Sequence, residues 1–248
     1  MKALVYTSPG VLELQERPIP QPGAGEVRIQ VRANGICGSD VQGYLGKTGR
    51  RVPPLVMGHE FSGQVDAVGD RVSRFKPKDR VIAYPALYCG RCPDCLAGQQ
   101  HRCRHKTFLG AMSQDGAMAE YLCLPEHLLL PLPDAVSYET GALTEPLAVA
   151  WRAVCQAGDL TGKTVLIVGA GTIGLLALQA VRLKNPSLIL VSEISPARAE
   201  RARLFGADGV VDPTRTPLSD WLAGQGARDG IDVSIEAVGL SVTAAQAL

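Results

Sequence analysis

The sequence predicts a chain in two parts, a β-rich, barrel-like domain over residues 1–150 and an α/β domain with a parallel, doubly wound sheet over residues 151–248. Three observations carry the prediction. Short runs such as residues 27–33 alternate apolar and polar side chains and are bounded by Gly or Pro, as half-buried strands are. The texture changes at residues 164–168, a continuous apolar run of the kind that is buried on both faces of a parallel sheet. Beyond it, strand-like and helix-like segments take turns to the end of the sequence.

The elements follow in order. Residues 1–6 read as a strand leading to the Pro9-Gly10 turn, and residues 27–33, 61–68, 80–84 and 119–124 as further strands. In the second part a strand at 164–168 precedes a helix from Thr172 to about Lys184, and residues 188–191 form the next strand. Ser195 is placed to cap a helix with Pro196 at its first position, and Gly206 closes it. A short strand at 209–212, a weak helix at 218–223 and a strand at 231–235 complete the alternation. The apolar stretch 165–181 reads as a buried strand followed by a buried helix, because it holds three Gly and begins with β-favouring residues.

Composition narrows the function. The chain has 248 residues, 46% of them apolar, and a net charge of +1, which excludes a general attraction to nucleic acid or to anionic membranes. Arg50-Arg51 and Lys76-Pro77-Lys78-Asp79-Arg80 are too short for a polybasic patch and read as solvated turns. Seven Cys, four of them between Cys89 and Cys103, suit a reducing, cytoplasmic setting and a metal better than a disulfide framework. The N-terminus shows no apolar signal core.

Gly169-Ala170-Gly171-Thr172-Ile173-Gly174 stands between a predicted strand and a predicted helix and fits a dinucleotide-binding turn. Gly169 permits the turn, Gly171 lets a pyrophosphate approach, and Gly174 lets the helix lie close to the strand. The N–H groups of Thr172 and Ile173 open the helix towards the phosphates. Glu193 ends the next strand, where a carboxylate binds a ribose 2′-hydroxyl and repels a 2′-phosphate, so the expected cofactor is NAD. Arg198 is a candidate for stacking on the adenine, or simply a solvated helix residue.

Cys89-x2-Cys92-x2-Cys95-x7-Cys103 is a strong metal pattern. Four thiolates close a tetrahedral shell around zinc and leave no open position, so this site is expected to be structural. An iron–sulfur cluster is the chemical rival. Arg91, Arg102, Arg104 and Lys106 are at hand to offset the net negative charge, and His101 and His105 are spare ligand candidates or surface residues. Cys37, His59, Glu60 and Glu145 are further candidates, but no local spacing links them.

The chain resembles the zinc-containing medium-chain alcohol dehydrogenases. Gly58-His59-Glu60-x2-Gly63-x5-Gly69-x2-Val72 is similar to that family's zinc signature, and the four-Cys lobe and the Gly169 turn follow at its positions. The resemblance runs the whole length. It implies a GroES-like β-barrel catalytic domain followed by a Rossmann domain. Glu145 in a ligand position is typical of the sorbitol-type polyol dehydrogenases and the threonine dehydrogenases, and the phrase from Gly58 to Gly63 looks most like galactitol-1-phosphate dehydrogenase.

By that resemblance Cys37, His59 and Glu145 hold a catalytic zinc, Glu60 exchanges at it, and Asp40 stands behind the ligands. The hydroxyl of a secondary alcohol bound there, expected to be a polyol or polyol phosphate, is acidified and its carbon gives hydride to NAD, with Ser39 taking the proton. The family's relay histidine is replaced by Gln42. Lys47, Arg50 and Arg51 are weak candidates for holding a substrate phosphate, and an ordinary basic loop is the simpler account. A zincless reductase would lack Cys37, His59 and the lobe. Family chains are longer by roughly a hundred residues and a full sheet has about six strands. The chain is therefore expected to stop after about four strands, to have weak activity or none on its own, and to form homo-oligomers only when complete. A zinc-stabilised binding protein without catalysis, or a threonine dehydrogenase-like activity, is the alternative.

Overall fold

The computed structural model describes residues 1–112, 114–225, 227 and 230–248, and the chain divides into two compact units, Met1–Glu145 and Pro146–Leu248.

In the first unit β1 (Lys2–Ser8) pairs antiparallel with β2 (Val11–Glu16) and with β4 (Leu55–Val56). The larger sheet has the order β10-β6-β5-β3-β9 and is antiparallel throughout: β3 (Glu26–Asn34), β5 (Phe61–Val68), β6 (Arg80–Ala83), β9 (Tyr121–Pro125) and β10 (Leu129–Pro131). Alternation in β3 buries Val27 and Ile29, which pack with Val65, Val81, Leu124 and Leu129. That single core fixes the register, because a one-residue slip would turn these side chains to water. Two-residue strands β7 (Ala86–Leu87) and β8 (Thr107–Phe108) bracket the cysteine-rich lobe. It holds the short helix α2 (Pro93–Leu96) and a 3-10 turn at Gln100–Arg102, and α1 (Gly38–Tyr44) follows β3. Two helices that the sequence pattern left unassigned, α3 (Tyr138–Ala142) and α4 (Thr144–Gln156), run across the expected boundary at residue 150.

The second unit is the predicted alternation. β11 (Thr164–Val168), β12 (Leu188–Ser192), β13 (Gly209–Val211) and β14 (Val233–Glu236) form a parallel sheet in the order β13-β12-β11-β14. The helices are α5 (Thr172–Arg182), α6 (Pro196–Leu204), α7 (Leu218–Gly224) and α8 (Ser241–Gln246). β11 lies between two strands and is buried from Val165 to Val168, which is why its apolar run shows no alternation. The reversal of strand order between β11 and β14 opens the crevice in which such sheets bind ligands.

Three expectations are corrected. The last strand is Val233–Glu236 rather than 231–235. Ser195 occupies the N-cap of α6, but its side chain makes no capping bond, and its N–H donates to Glu193 Oε1 at 2.7 Å. Arg51, read as part of a solvated turn, is buried at 9% exposure. Among the described residues no helix is long and apolar enough to cross a membrane.

A Cβ on Gly174 would run into the carbonyl oxygen of Gly169, whereas one on Gly171 would meet nothing within 4 Å. Gly174→Ala is therefore expected to lower the melting temperature by roughly 5 °C or more, and Gly171→Ala to change it by no more than about 2 °C. Circular dichroism melts of the two variants check this.

Candidate metal centres and dinucleotide site

Cys37 lies three residues beyond the end of β3, and His59 and Glu60 immediately precede β5. The ends of these strands are partners, with Asn34 opposite Phe61, and the Gly35 N–H continues the ladder to the Glu60 carbonyl at 2.7 Å. Strand pairing thus brings together residues more than twenty positions apart. Gly35 has no side chain because Glu60 fills the space that its Cβ would take. One ligand atom each from Cys37, His59 and Glu60 lies within 4.8 Å of the others. Glu145, expected as a ligand, stands outside this group of three but close enough to feel the charges of Glu60 and Asp40.

Asp40 knits the site. Its carboxylate accepts the Cys37 N–H at 3.1 Å, closing the capping box of α1. Its Oδ1 lies 3.6 Å from His59 Nδ1 and accepts from the Arg51 guanidinium at 3.1 Å. The same Arg51 nitrogen donates to Ser39 Oγ at 2.9 Å. Arg51 reaches this place by lying on Gly43, where any Cβ would collide with its Cδ and Cγ at 2.8 Å. Sequence reading missed the role of Arg51, since an Arg-Arg pair in a loop carries no sign of which residue turns inward.

The electrostatics fit a divalent cation. Burial raises the Cys37 thiol, and the charges of Glu60 and Asp40 add to the effect while hydrogen bonds with Ser39 oppose it. Burial also raises Glu60, and Asp40 adds to that. Glu145 is pushed up to about 7, first by burial and then by Glu60 and Asp40. Burial lowers His59 and keeps the imidazole neutral, the form that ligates metals. His59 Nδ1 is buried without a hydrogen-bond partner among the described residues. A thiolate, an imidazole and a carboxylate are zinc donors, and three of them leave a fourth position for substrate.

The four-Cys lobe assembles as its spacing suggests. The Sγ atoms of Cys92 and Cys95 are 3.5 Å apart, those of Cys89 and Cys103 3.7 Å, and those of Cys89 and Cys95 4.0 Å. Tetrahedral zinc with bonds of about 2.3 Å requires sulfurs about 3.8 Å apart, and disulfide sulfurs would be near 2.05 Å. Zinc fits and a disulfide does not. Arg102, expected to offset the thiolates, instead hydrogen-bonds Gln99 and pairs with Asp94 at 3.9 Å, while Lys106 donates to the His101 carbonyl. His101 and His105 are exposed and outside the cluster.

In the second unit a cavity of about 330 Å³ opens at the ends of β11 and β12, lined by Gly169, Glu193 and Arg198 among others. Gly171 is the N-cap of α5 and no side chain caps it, so the first N–H groups of the helix are left to a ligand. Thr172 and Ile173 open that helix, and the open space at Gly171 is what a pyrophosphate against the backbone requires. Glu193 accepts the Ala170 N–H at 2.7 Å through Oε2 and the Ser195 N–H at 2.7 Å through Oε1, so it also clamps the Gly-rich turn to the end of β12. Each of its oxygens keeps a second lone pair for a ribose hydroxyl. A dinucleotide fits these residues.

A closed thiolate lobe, a three-donor site with a position to spare and a dinucleotide turn in one chain define a zinc-binding, nicotinamide-linked oxidoreductase. The comparisons agree. Residues 23–134 match the alcohol dehydrogenase GroES-like domain, and residues 172–248 match the zinc-binding dehydrogenase family. The chain is 35% identical over 243 residues to an L-threonine 3-dehydrogenase of Rhizobium johnstonii, covering 96% of this chain and 70% of that one. It is 34% identical to a sorbitol dehydrogenase of Bacillus subtilis, covering 96% and 69%. A putative zinc-binding dehydrogenase from Sinorhizobium meliloti, solved with NADP, superposes with a TM-score of 0.91 at 34% identity, covering 99% and 72%. Galactitol-1-phosphate dehydrogenase from Escherichia coli gives 0.88 at 33%, covering 98% and 70%. The chain belongs to the zinc-binding alcohol dehydrogenase family, whose members named here are longer than its 248 residues.

Two outcomes follow. Burial, with the neighbouring thiols, holds Cys95 up at about 12, whereas backbone N–H groups led by that of Arg91 bring Cys89 down to about 6. Zinc must displace the Cys95 proton, so the affinity of the lobe is expected to rise as pH rises from 6 to 8, read by competition with a chelator. Glu145 has the opposite bearing on the metal-free chain. Its pKa is raised from 4.5 to about 7, so its contribution is intact below 4.5 and lost as pH rises through 7. Melts of chelator-treated protein at pH 5 and pH 8 are expected to show a fall at the higher pH that is smaller in Glu145→Gln.

Proposed function

We propose that the protein oxidises a secondary alcohol of the polyol type, with NAD as hydride acceptor. The observation that carries the reading is the meeting of Cys37, His59 and Glu60 beside Ser39, in a cavity of about 460 Å³ that both Ser39 and His59 line. Its volume is in the range of small-ligand sites. Cys37 and His59 would hold the metal, with Glu60 or Glu145 as the carboxylate donor; Glu145, raised to about 7, is poised to exchange a proton for a cation.

Bound zinc supplies Lewis acidity to the alcohol oxygen, and the nicotinamide supplies the place for the hydride. The remaining work belongs to the chain. Ser39 Oγ has one lone pair engaged by Arg51, another free to accept the hydroxyl proton, and its own proton to pass on. The guanidinium beside it disfavours a proton that stays, which drives the proton outward. Gln42 does not titrate and takes no part. Asp40 Oδ1, 3.6 Å from His59 Nδ1, places a carboxylate charge behind the imidazole.

Glu193 supports NAD over NADP, because a buried carboxylate repels a 2′-phosphate. A threonine substrate is the second reading, favoured by the threonine dehydrogenase relatives.

The test is NAD and NADP reduction with sorbitol, other polyols and threonine, using this chain and one carrying the remaining length of its relatives. Turnover of polyols with NAD is expected, and turnover of threonine alone would replace the reading. Cys37→Ala is expected to abolish turnover while one zinc per chain remains in the lobe. Arg51→Gln is expected to lower kcat by roughly tenfold or more with KM little changed.

A further inference from the structure

The cavity above Ser39 and His59 has a feature that alcohol oxidation does not require. Arg50, His101 and Lys106 stand at its wall, and no Asp or Glu is among the described residues that line it. The inner Arg51 is spoken for by Asp40. Arg50 is exposed, and its side chain has no hydrogen bond or ion pair among the described residues. The backbone of Arg50 and the ammonium of Lys106 are both held in place. The Arg50 carbonyl accepts the Met112 N–H at 2.8 Å, and Lys106 Nζ donates to the His101 carbonyl at 2.5 Å, which leaves two of its three N–H groups unused. The rest of the wall is largely apolar, with Phe108, Ala111 and Met112.

A neutral polyol would use none of this positive charge. A carbon chain lying on Phe108 and Met112 with an anionic end would meet both the apolar wall and the cations. A zinc ion with one thiolate and one carboxylate is close to neutral as a unit, so the cations are not needed to balance the metal site. Resting on the dehydrogenase reading above, we propose that the substrate carries an anionic group, a phosphate monoester or a carboxylate, bound by Arg50 and Lys106 with His101 beside them.

Binding is measured calorimetrically on the zinc-loaded chain, so the test does not depend on turnover. The probes are a neutral polyol, its phosphate monoester and a hydroxy acid of similar length. The monoester is expected to bind at least about tenfold more tightly than the polyol, the difference that one or two charge-assisted hydrogen bonds supply. The double variant R50Q/K106Q is expected to remove that advantage and to leave polyol affinity unchanged; Arg50→Glu alone is expected to weaken it further than Arg50→Gln. A hydroxy acid that binds as tightly as the monoester assigns the carboxylate as the natural group, and one that binds like the polyol assigns the phosphate. Equal affinity for polyol and monoester overturns the proposal. So does monoester binding that survives R50Q/K106Q but is lost in Cys37→Ala, which would place the anion on the metal. Failure of the dehydrogenase reading is seen separately, as an unchanged zinc content in Cys37→Ala.

Discussion

The first unit is organised around negative charge brought together out of water. Pairing of β3 with β5 sets Asn34 opposite Phe61, and this delivers Cys37 from one strand and His59 and Glu60 from the other to the same buried place. Asp40 joins them, and Glu145 stands outside the group but near enough to feel its charge. Burial of several carboxylates and a thiol has a cost that protonation can relieve only in part, hence the raised values at Cys37, Glu60 and Glu145. Arg51 provides one positive charge, held against Asp40 and Ser39. A divalent cation held by these residues would provide the rest. The chemistry and the stability of the unit therefore share one requirement.

The other two sites solve different problems. The lobe between β7 and β8 has little regular structure, and its buried Cys92, Cys95 and Cys103 pack mainly on one another, with Cys89 and Tyr88 beside them. A closed zinc shell is the kind of support that a loop with so small a core needs. In the second unit the parallel sheet is a large apolar core in its own right, with Val165, Ile167, Leu178 and Val191 at its centre. There the difficulty is to let a helix approach a strand closely, and Gly174 does so by resting on the Gly169 carbonyl. Glu193, by accepting from Ala170 and Ser195, holds the turn in shape without a ligand.

The cavity of the first unit joins chemistry to selectivity. Ser39 and His59 supply the reactive end, Phe108, Ala111 and Met112 an apolar wall, and Arg50 and Lys106 a positive rim. Arg51 donates to Ser39 Oγ at 2.9 Å and so fixes the position of the hydroxyl that lines the cavity. Arg50 and Arg51, adjacent in sequence, have separate duties because successive residues of an extended loop point opposite ways: one is exposed, the other is buried on Gly43.

Local patterns in the sequence determined much. The alternation of β3, the apolar run of β11, the Gly169 turn and the cysteine spacing of the lobe are short-range, and physical rules about period and turn geometry read them directly. The helices around residue 145 escaped notice because α4 carries Pro146 in its first turn and an exposed Leu147, Val149 and Trp151, which blur its apolar face. The constellation of candidate metal donors is long-range. Cys37, His59 and Glu60 are linked by strand register and not by spacing, so only resemblance pointed to them before the coordinates did. The inward turn of Arg51, the distance of Glu145 from the three converging donors and the second task of Glu193 were decided by the tertiary structure alone, since each depends on which backbone N–H or missing Cβ happens to lie within a few ångströms.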